Sequence, residues 1–263
     1  MTTVKDVEQK LFTWAPRAYA ESWDNVGLLC GTEQQEVRRI LVALDPFLHV
    51  CEEAARENAD LIVTHHPLIF HPLKAVTDRD AVGQSIHFLI QHGIAAINAH
   101  TNLDQAVGGV NDRLAQVLGL QHPEVLQPCG YDEQGRPWGL LRVGTVDETS
   151  LDDFAALVKS HLHCPGLRYI SGGKPVHRVA VGGGACGDEM YEVAAAGCDT
   201  FVTADIKYNQ FWTARDLGLN LIDAGHFETE NPICESLAAF LQEAFPDVAV
   251  ILSKSHGDMV QFL

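Results

Sequence analysis

Six side chains in this sequence have the types and spacing of a two-metal site. The apolar run GIAAINAH ends in His100, and Asp104 follows four residues later; the run LNLIDAG leads into His226, and Glu230 follows four residues later. A third run, DLIVTHH, closes on the adjacent pair His65 and His66. Neutral imidazole and carboxylate together suit borderline divalent ions such as zinc or iron(II). A carboxylate can bridge two cations held about 3.5–4 Å apart, so the chemistry expected of such a set is metal-assisted hydrolysis.

The +4 spacing puts His226 and Glu230, and by the same reasoning His100 and Asp104, on one side of an opening helical turn. Glu228, two residues after His226, points elsewhere and is expected to be solvated or to complement a helix N-terminus. Successive side chains on a strand face opposite ways, so His65 and His66 can serve one cluster only where the strand is ending, and Pro67 follows at once. A lone His-x3-acid pair is commoner as a cap or a surface arrangement, and an adjacent His pair is as often a ligand pair as not. Their shared position at the C-terminal ends of predicted strands, where open α/β sheets bind ligands, favours the metal reading. His49, His87, His92, His122, His161, His163, His177 and His256 lack a carboxylate at ligand spacing and are expected at the surface or half-buried. His71, in PLIFHPL, could line the cleft.

A competing motif is Gly182-x-Gly184-x-x-Gly187, with Asp205 eighteen residues beyond, which has the outline of a dinucleotide fingerprint. A lone motif of this kind is weak. Its place after a strand at the start of a second repeat favours a structural turn over a phosphate cradle.

The elements that must position these residues alternate throughout. Strands are expected over 38–45, 60–66, 93–100, 140–146, 177–183, 199–205 and 219–225, and helices near 47–58, 80–92, 105–118, 150–161, 188–197, 207–217 and 230–244. This rhythm predicts an α/β fold with mixed, largely parallel sheets. A shift of 139 lays Arg39 on Arg178 and Thr64 on Thr203; a shift of 126 lays His100 on His226 and Asp104 on Glu230. The fold is therefore expected to be two related α/β lobes from an internal duplication. The aperiodic Pro- and Gly-containing segment 122–139 suggests a division into 1–125, carrying His65, His66, His100 and Asp104, and 126–263, carrying His226 and Glu230, with the lobes intertwined.

Composition narrows the function. The chain has 263 residues, of which 46% are hydrophobic and 20% charged, as in an ordinary globular protein. A formal net charge of −17 opposes nucleic-acid binding, and an anionic small substrate would need a local cation such as a bound metal. The seven cysteines are scattered, odd in number and never form CxxC, so buried reduced thiols are expected. No leader-like h-region opens the chain and no run approaches the roughly 18 apolar residues of a spanning helix, so a cytoplasmic protein without a membrane partner is expected.

With SWDNVGLLCG, LDPFLHVCEEAARENADLIVTHHPLIFHPL, NAHTNLDQAVGGVNDRLA, TADIKYNQF and DAGHFETE in order, the chain resembles, over nearly its whole length, the YbgI-like dinuclear-metal-centre proteins known as GTP cyclohydrolase 1 type 2 homologues. The resemblance implies a toroidal homohexamer with metal sites facing an inner cavity. It implies two divalent ions, zinc, iron or manganese, held by His65, His66, Asp104, His226 and Glu230, with His100 beside them as the expected base. It also implies a small-molecule substrate such as a nucleotide, and hydrolysis of the guanine ring of GTP as the reaction. The alternative is a non-enzymatic hexamer that binds metal or recruits a partner. An open coordination position would favour the hydrolase, a closed ligand shell the alternative. A third reading, a nucleotide-binding oxidoreductase, rests on the glycine turn alone.

Overall fold

The apolar runs become the parallel centres of two sheets. The computed structural model describes residues 1–263, and they divide into one unit of residues 1–106 and 234–257 and another of residues 107–233 and 258–263. In chain order the first unit contains α1 (Val4–Trp14), β1 (Gly27–Cys30), β2 (Arg39–Ala43), α2 (Leu48–Arg56), β3 (Leu61–Thr64), α3 (Ala81–His92), β4 (Ala95–Asn98) and α4 (Thr101–Gln105). The second contains α5 (Val110–Val117), β5 (Gln121–Val125), β6 (Gly130–Tyr131), β7 (Pro137–Trp138), β8 (Arg142–Thr149), α6 (Leu151–His161), β9 (Arg168–Ile170), β10 (Val176–Val181), α7 (Met190–Ala195), β11 (Thr200–Thr203), α8 (Tyr208–Asp216), β12 (Asn220–Asp223) and α9 (His226–Glu230). The chain then returns to the first unit through α10 (Pro232–Ala244) and β13 (Ala249–Leu252). The division expected at 125/126 thus falls inside the second unit. The segment 122–139 is edge structure there: β5 pairs with β8, and β6 with β7.

In the first unit the sheet order is β1-β4-β3-β2-β13, parallel except for β1. In the second it is β5-β8-β10-β11-β12-β9, with β10, β11 and β12 parallel and the others antiparallel to their neighbours. The central strands have apolar centres because both of their faces are covered, with polar residues only towards their ends. Val179, Val181, Val202 and Ile222 pack with Phe154 and Val158, while Ala180, Phe201 and Leu221 pack with Met190 and Val193 on the other side. In the first unit Leu41, Ala43, Ile62 and Ala96 pack with Val50, Ala54, Ile86 and Leu89. Caps set the helix limits: Thr3 and Asp6 form a capping box at α1, Asp80 and Ser150 cap α3 and α6, and Gly93 closes α3 at φ +65°.

The repeated β-α-β-α-β order agrees with a duplication, but its register differs from that read in the sequence. Thr64 pairs with Asn98 in the first sheet, and Thr203 with Asp223 in the second. The next bonds, Ala99 N–H to Thr64 O and Ala224 N–H to Thr203 O, continue both ladders alike. The third strands are therefore related by a shift of 125, not 126. His100 corresponds to Gly225, each the N-cap of a five-residue helix, and Thr101, Asp104 and Gln105 correspond to His226, Thr229 and Glu230. The extra residue of shift arose because two histidines four positions before an acid align more readily than the strands that carry them.

Six of the seven cysteines are buried and Cys129 is exposed. No helix is long and apolar enough to cross a membrane.

Candidate metal centre

In the first unit β3 stops at Thr64, and the bend that follows lets both histidines turn to one side. The Thr64 hydroxyl donates to His66 O at 2.7 Å, and His66 N–H donates to Leu44 O at 2.9 Å, so the bend is fixed by its own strand end and by that of β2. His65, His66 and His100 each bring a ligand nitrogen within 4.8 Å of the others'. Their ring centroids are 4.9, 5.3 and 5.7 Å apart.

Each imidazole is oriented through Nδ1. Ala99 O lies 2.9 Å from His65 Nδ1, Asp45 Oδ1 lies 2.7 Å from His66 Nδ1, and Asp24 Oδ1 lies 2.8 Å from His100 Nδ1. An oxygen acceptor at Nδ1 selects the tautomer whose Nε2 carries the lone pair, the arrangement found behind metal-ligating histidines. Asp104 is buried, with Oδ1 3.5 Å from His65 Nε2. His100 lies outside α4 as its N-cap, so the +4 spacing does not by itself pair it with Asp104; its ring is placed by Asp24.

Asp24 is half-buried, with its side chain closed off from solvent. Burial alone would raise its pKa, but donation from His100, from the Thr101 hydroxyl and from Asn25 N–H outweighs that and holds it at about 2. It stays ionised and can stabilise a proton on His100.

In the second unit the +4 reading holds: His226 Nε2 lies 3.1 Å from Glu230 Oε2, and Glu230 is buried. His226 Nδ1 faces Asp205 Oδ2 at 2.7 Å. Asp205 adopts φ +54°, a left-handed conformation that a non-glycine residue rarely takes and Asp tolerates better than most. The glycine turn is a wall of this cluster. A Cβ on Gly184, at φ +64°, would meet Glu230 Oε1 at 2.2 Å and His226 Nε2 at 3.1 Å. Four of the turn's N–H groups are already used: Gly182 donates to Val202 O, Gly183 to Asn111 Oδ1, Gly184 to Thr229 Oγ1 and Cys186 to Thr203 Oγ1. A phosphate cradle needs those donors, so the turn is structural here.

Of the two roles expected of Glu228, the structure has it in the first turn of α9, at the helix N-terminus. It is buried and not solvated; burial raises its pKa, and a Cβ on Gly225 would meet its Oε2 at 2.1 Å. His256 is half-buried, as expected: its Nδ1 accepts Leu44 N–H at 3.1 Å, beside Asp45, and burial lowers its pKa against the opposing pull of Asp45 and Glu53. Asp24, Asp45 and Asp205 were not read as orienting groups. Their signals were present: Asp45 closes the run RRILVALD, Asp24 lies in SWDNVGLLCG, and Asp205 follows DTFVTA.

Residues 2–258 match the family model described as Duf34/NIF3 (NGG1p interacting factor 3). A protein of Streptomyces coelicolor named GTP cyclohydrolase 1 type 2 homolog is 39% identical over 268 residues, covering 98% of this chain and 93% of its own. The crystal structure of Staphylococcus aureus hypothetical protein SA1388 superposes with a TM-score of 0.93 at 32% identity, over 99% of each chain. Protein ybgI, at 23% identity and a TM-score of 0.82 over 96% of this chain and 98% of its own, is similar in fold.

Proposed function

Because the chain belongs to the Duf34/NIF3 family, we propose that it is a metal-dependent hydrolase, with His65, His66, Asp104, His226 and Glu230 ligating two divalent ions and His100 acting as base. The observation that carries this reading is the common orientation of four histidines: each has Nδ1 against an oxygen acceptor, which leaves Nε2 as the donor nitrogen. Three such imidazoles together with buried Asp104, and a fourth beside buried Glu230, make a donor set that suits zinc, iron(II) or manganese. When bound, two such ions polarise a substrate oxygen and acidify a water towards neutral pH.

The chain's own residues supply the rest. His100 Nε2 takes a proton from the attacking water, and Asp24, ionised and bonded to Nδ1, stabilises the imidazolium that results. His66 and His100 are only partly buried, with side chains 19% and 16% exposed, which supports an open site over a closed one. The name of the Streptomyces coelicolor relative suggests a nucleotide as substrate, and hydrolysis at a cyclic amidine carbon is the reaction we favour. The homohexamer implied by the resemblance of the sequence motifs belongs to the same proposal, and sedimentation velocity would test it.

Anaerobic purification with metal quantitation, followed by turnover of a nucleotide and phosphoester panel, tests the reading. Wild type is expected to carry about two equivalents of metal and to turn over at least one substrate, and Glu230→Ala to lose metal and activity together. Two equivalents with no turnover would leave a metal-binding protein and not a hydrolase. Full metal in Glu230→Ala would remove that residue from the ligand set.

A further inference from the structure

We propose that Trp23 and Phe70 form the platform on which the planar heteroaromatic ring of the substrate stacks, beside His100. This inference rests on the hydrolase reading and adds the class of molecule that the site selects. Both rings are exposed, Trp23 at 59% and Phe70 at 42%, although their size would ordinarily draw them into a core. They meet in a near-perpendicular pair with centroids 5.7 Å apart. Each also stands near-perpendicular to the His100 imidazole, at 6.2 Å for Trp23 and 6.0 Å for Phe70. A large aromatic pair left in solvent against the expected base marks a contact surface for a ligand.

The pair is also preorganised. Trp23 precedes Asp24, whose carboxylate is bound by His100 and Thr101. Phe70 follows Ile69, whose carbonyl accepts the Asn25 side chain at 2.7 Å. Asn25 O in turn accepts the Asn98 side-chain amide at 3.1 Å, and Asn98 Oδ1 accepts Gly27 N–H at 3.1 Å, so β4 fixes the segment that bears Trp23. Each platform ring is therefore one residue from a hydrogen-bonded anchor, and little freedom remains to be lost when a ligand binds. His71, whose ring is 4.6 Å from that of Phe70, extends the same wall.

Indole and phenyl faces present a broad π surface that is negative at its centre. An anionic phosphate gains nothing there and a puckered sugar offers only C–H contacts; a purine or a comparable fused heterocycle gains a full stacking face, with its edge directed at the imidazoles. The platform thus favours substrates whose reacting carbon lies in a planar ring over sugar phosphates and simple phosphoesters.

The test is calorimetric titration of the protein, with and without added Mn²⁺, using guanosine 5′-monophosphate and ribose 5-phosphate, which share the phosphate and differ in the ring. Because Trp23 and Phe70 are exposed, truncating either should leave the fold intact, and metal content is measured in the same preparations. Trp23→Ala and Phe70→Ala are each expected to weaken guanosine 5′-monophosphate binding by about 5- to 150-fold, the span carried by one base–aromatic stack. Trp23→Phe is expected to restore most of the affinity, and ribose 5-phosphate binding should not respond to any of the three. Equal affinity of wild type and Trp23→Ala for guanosine 5′-monophosphate, or no preference of wild type for it over ribose 5-phosphate, would overturn the inference while leaving the metal reading untouched. Ring binding that persists in protein unable to hold metal would do the reverse.

Discussion

Substituting Gly184 by Ala should separate two costs that the structure assigns to one position. The first is conformational. Gly184 has φ +64°, where a Cβ crowds the following carbonyl, at a penalty of about 1–2 kcal/mol. Gly93, at φ +65° with nothing within 4 Å of a Cβ, carries that penalty alone, so Gly93→Ala is the internal standard. The second cost is the collision with Glu230 Oε1 at 2.2 Å. Glu230 is buried and cannot swing into water, so either its carboxylate leaves its place beside His226 or the turn moves. Moving the turn strains the bonds to Asn111, Thr229 and Thr203, each worth about 1 kcal/mol. Chemical denaturation of metal-free protein should show Gly184→Ala destabilised by about 3–5 kcal/mol, against about 1–2 for Gly93→Ala. Removing the obstacle should recover the difference: in a double-mutant cycle with Glu230→Ala, the coupling should be at least about 1 kcal/mol. Gly184→Ala no worse than Gly93→Ala, or a coupling near zero, would refute the assignment of the glycine turn to the Glu230 wall.

Other outcomes follow from the same contacts. Asp45→Asn keeps the shape of the residue behind His66 but removes its charge, and should lower metal affinity by about 10- to 100-fold in a competition titration against a chelating dye. Glu53 is buried beneath Ser253, Lys254 and Ser255; burial would raise its pKa, but four hydrogen bonds outweigh that and hold it at about 2, below its ordinary 4.5. With the folded value depressed, the stabilisation is complete above pH 4.5 and fades as the pH falls towards 2. The fall amounts to about 3 kcal/mol, and denaturation midpoints at pH 6 and pH 3 should differ less in Glu53→Gln than in wild type.

The parts of the fold that were legible are those whose signal is local. The centres of β2, β3, β4, β10, β11 and β12 are covered on both faces, so each reads as a short apolar run with polar residues only towards its ends. β5 and β9 are exposed edge strands without alternation, which is why QHPEV read as part of a linker and RYI as nothing. Helix α1 did leave a mark, Thr3 three residues before Asp6 and ahead of Val7 and Leu11, a capping pattern that went unread. The histidines of the candidate site were visible because each follows a strand. Their orienting carboxylates were not, since Asp24 lies 76 residues from His100, and Asp45 and Asp205 each lie 21 from the histidine they hold. Only the packing of one strand end against another brings such pairs together, and no local periodicity reports it.

The register of the repeat changes what the twin motifs mean. At a shift of 126, His100-Asp104 and His226-Glu230 looked like one site present twice. At the shift of 125 that the strands impose, Thr101 and Gln105 stand where His226 and Glu230 stand, and Thr229 stands where Asp104 does. The 139 shift of the preceding strands sets Ala204 and Asp205 against His65 and His66. No proposed ligand therefore has a proposed ligand at its equivalent position. Asp205 goes further: it occupies the place of a ligand and serves instead to orient one. Two copies that had each kept a site would share donors at equivalent positions. Two donor sets that nowhere overlap are what is expected when the copies of a duplicated unit have diverged in the groups they carry, so neither half repeats the donors of the other.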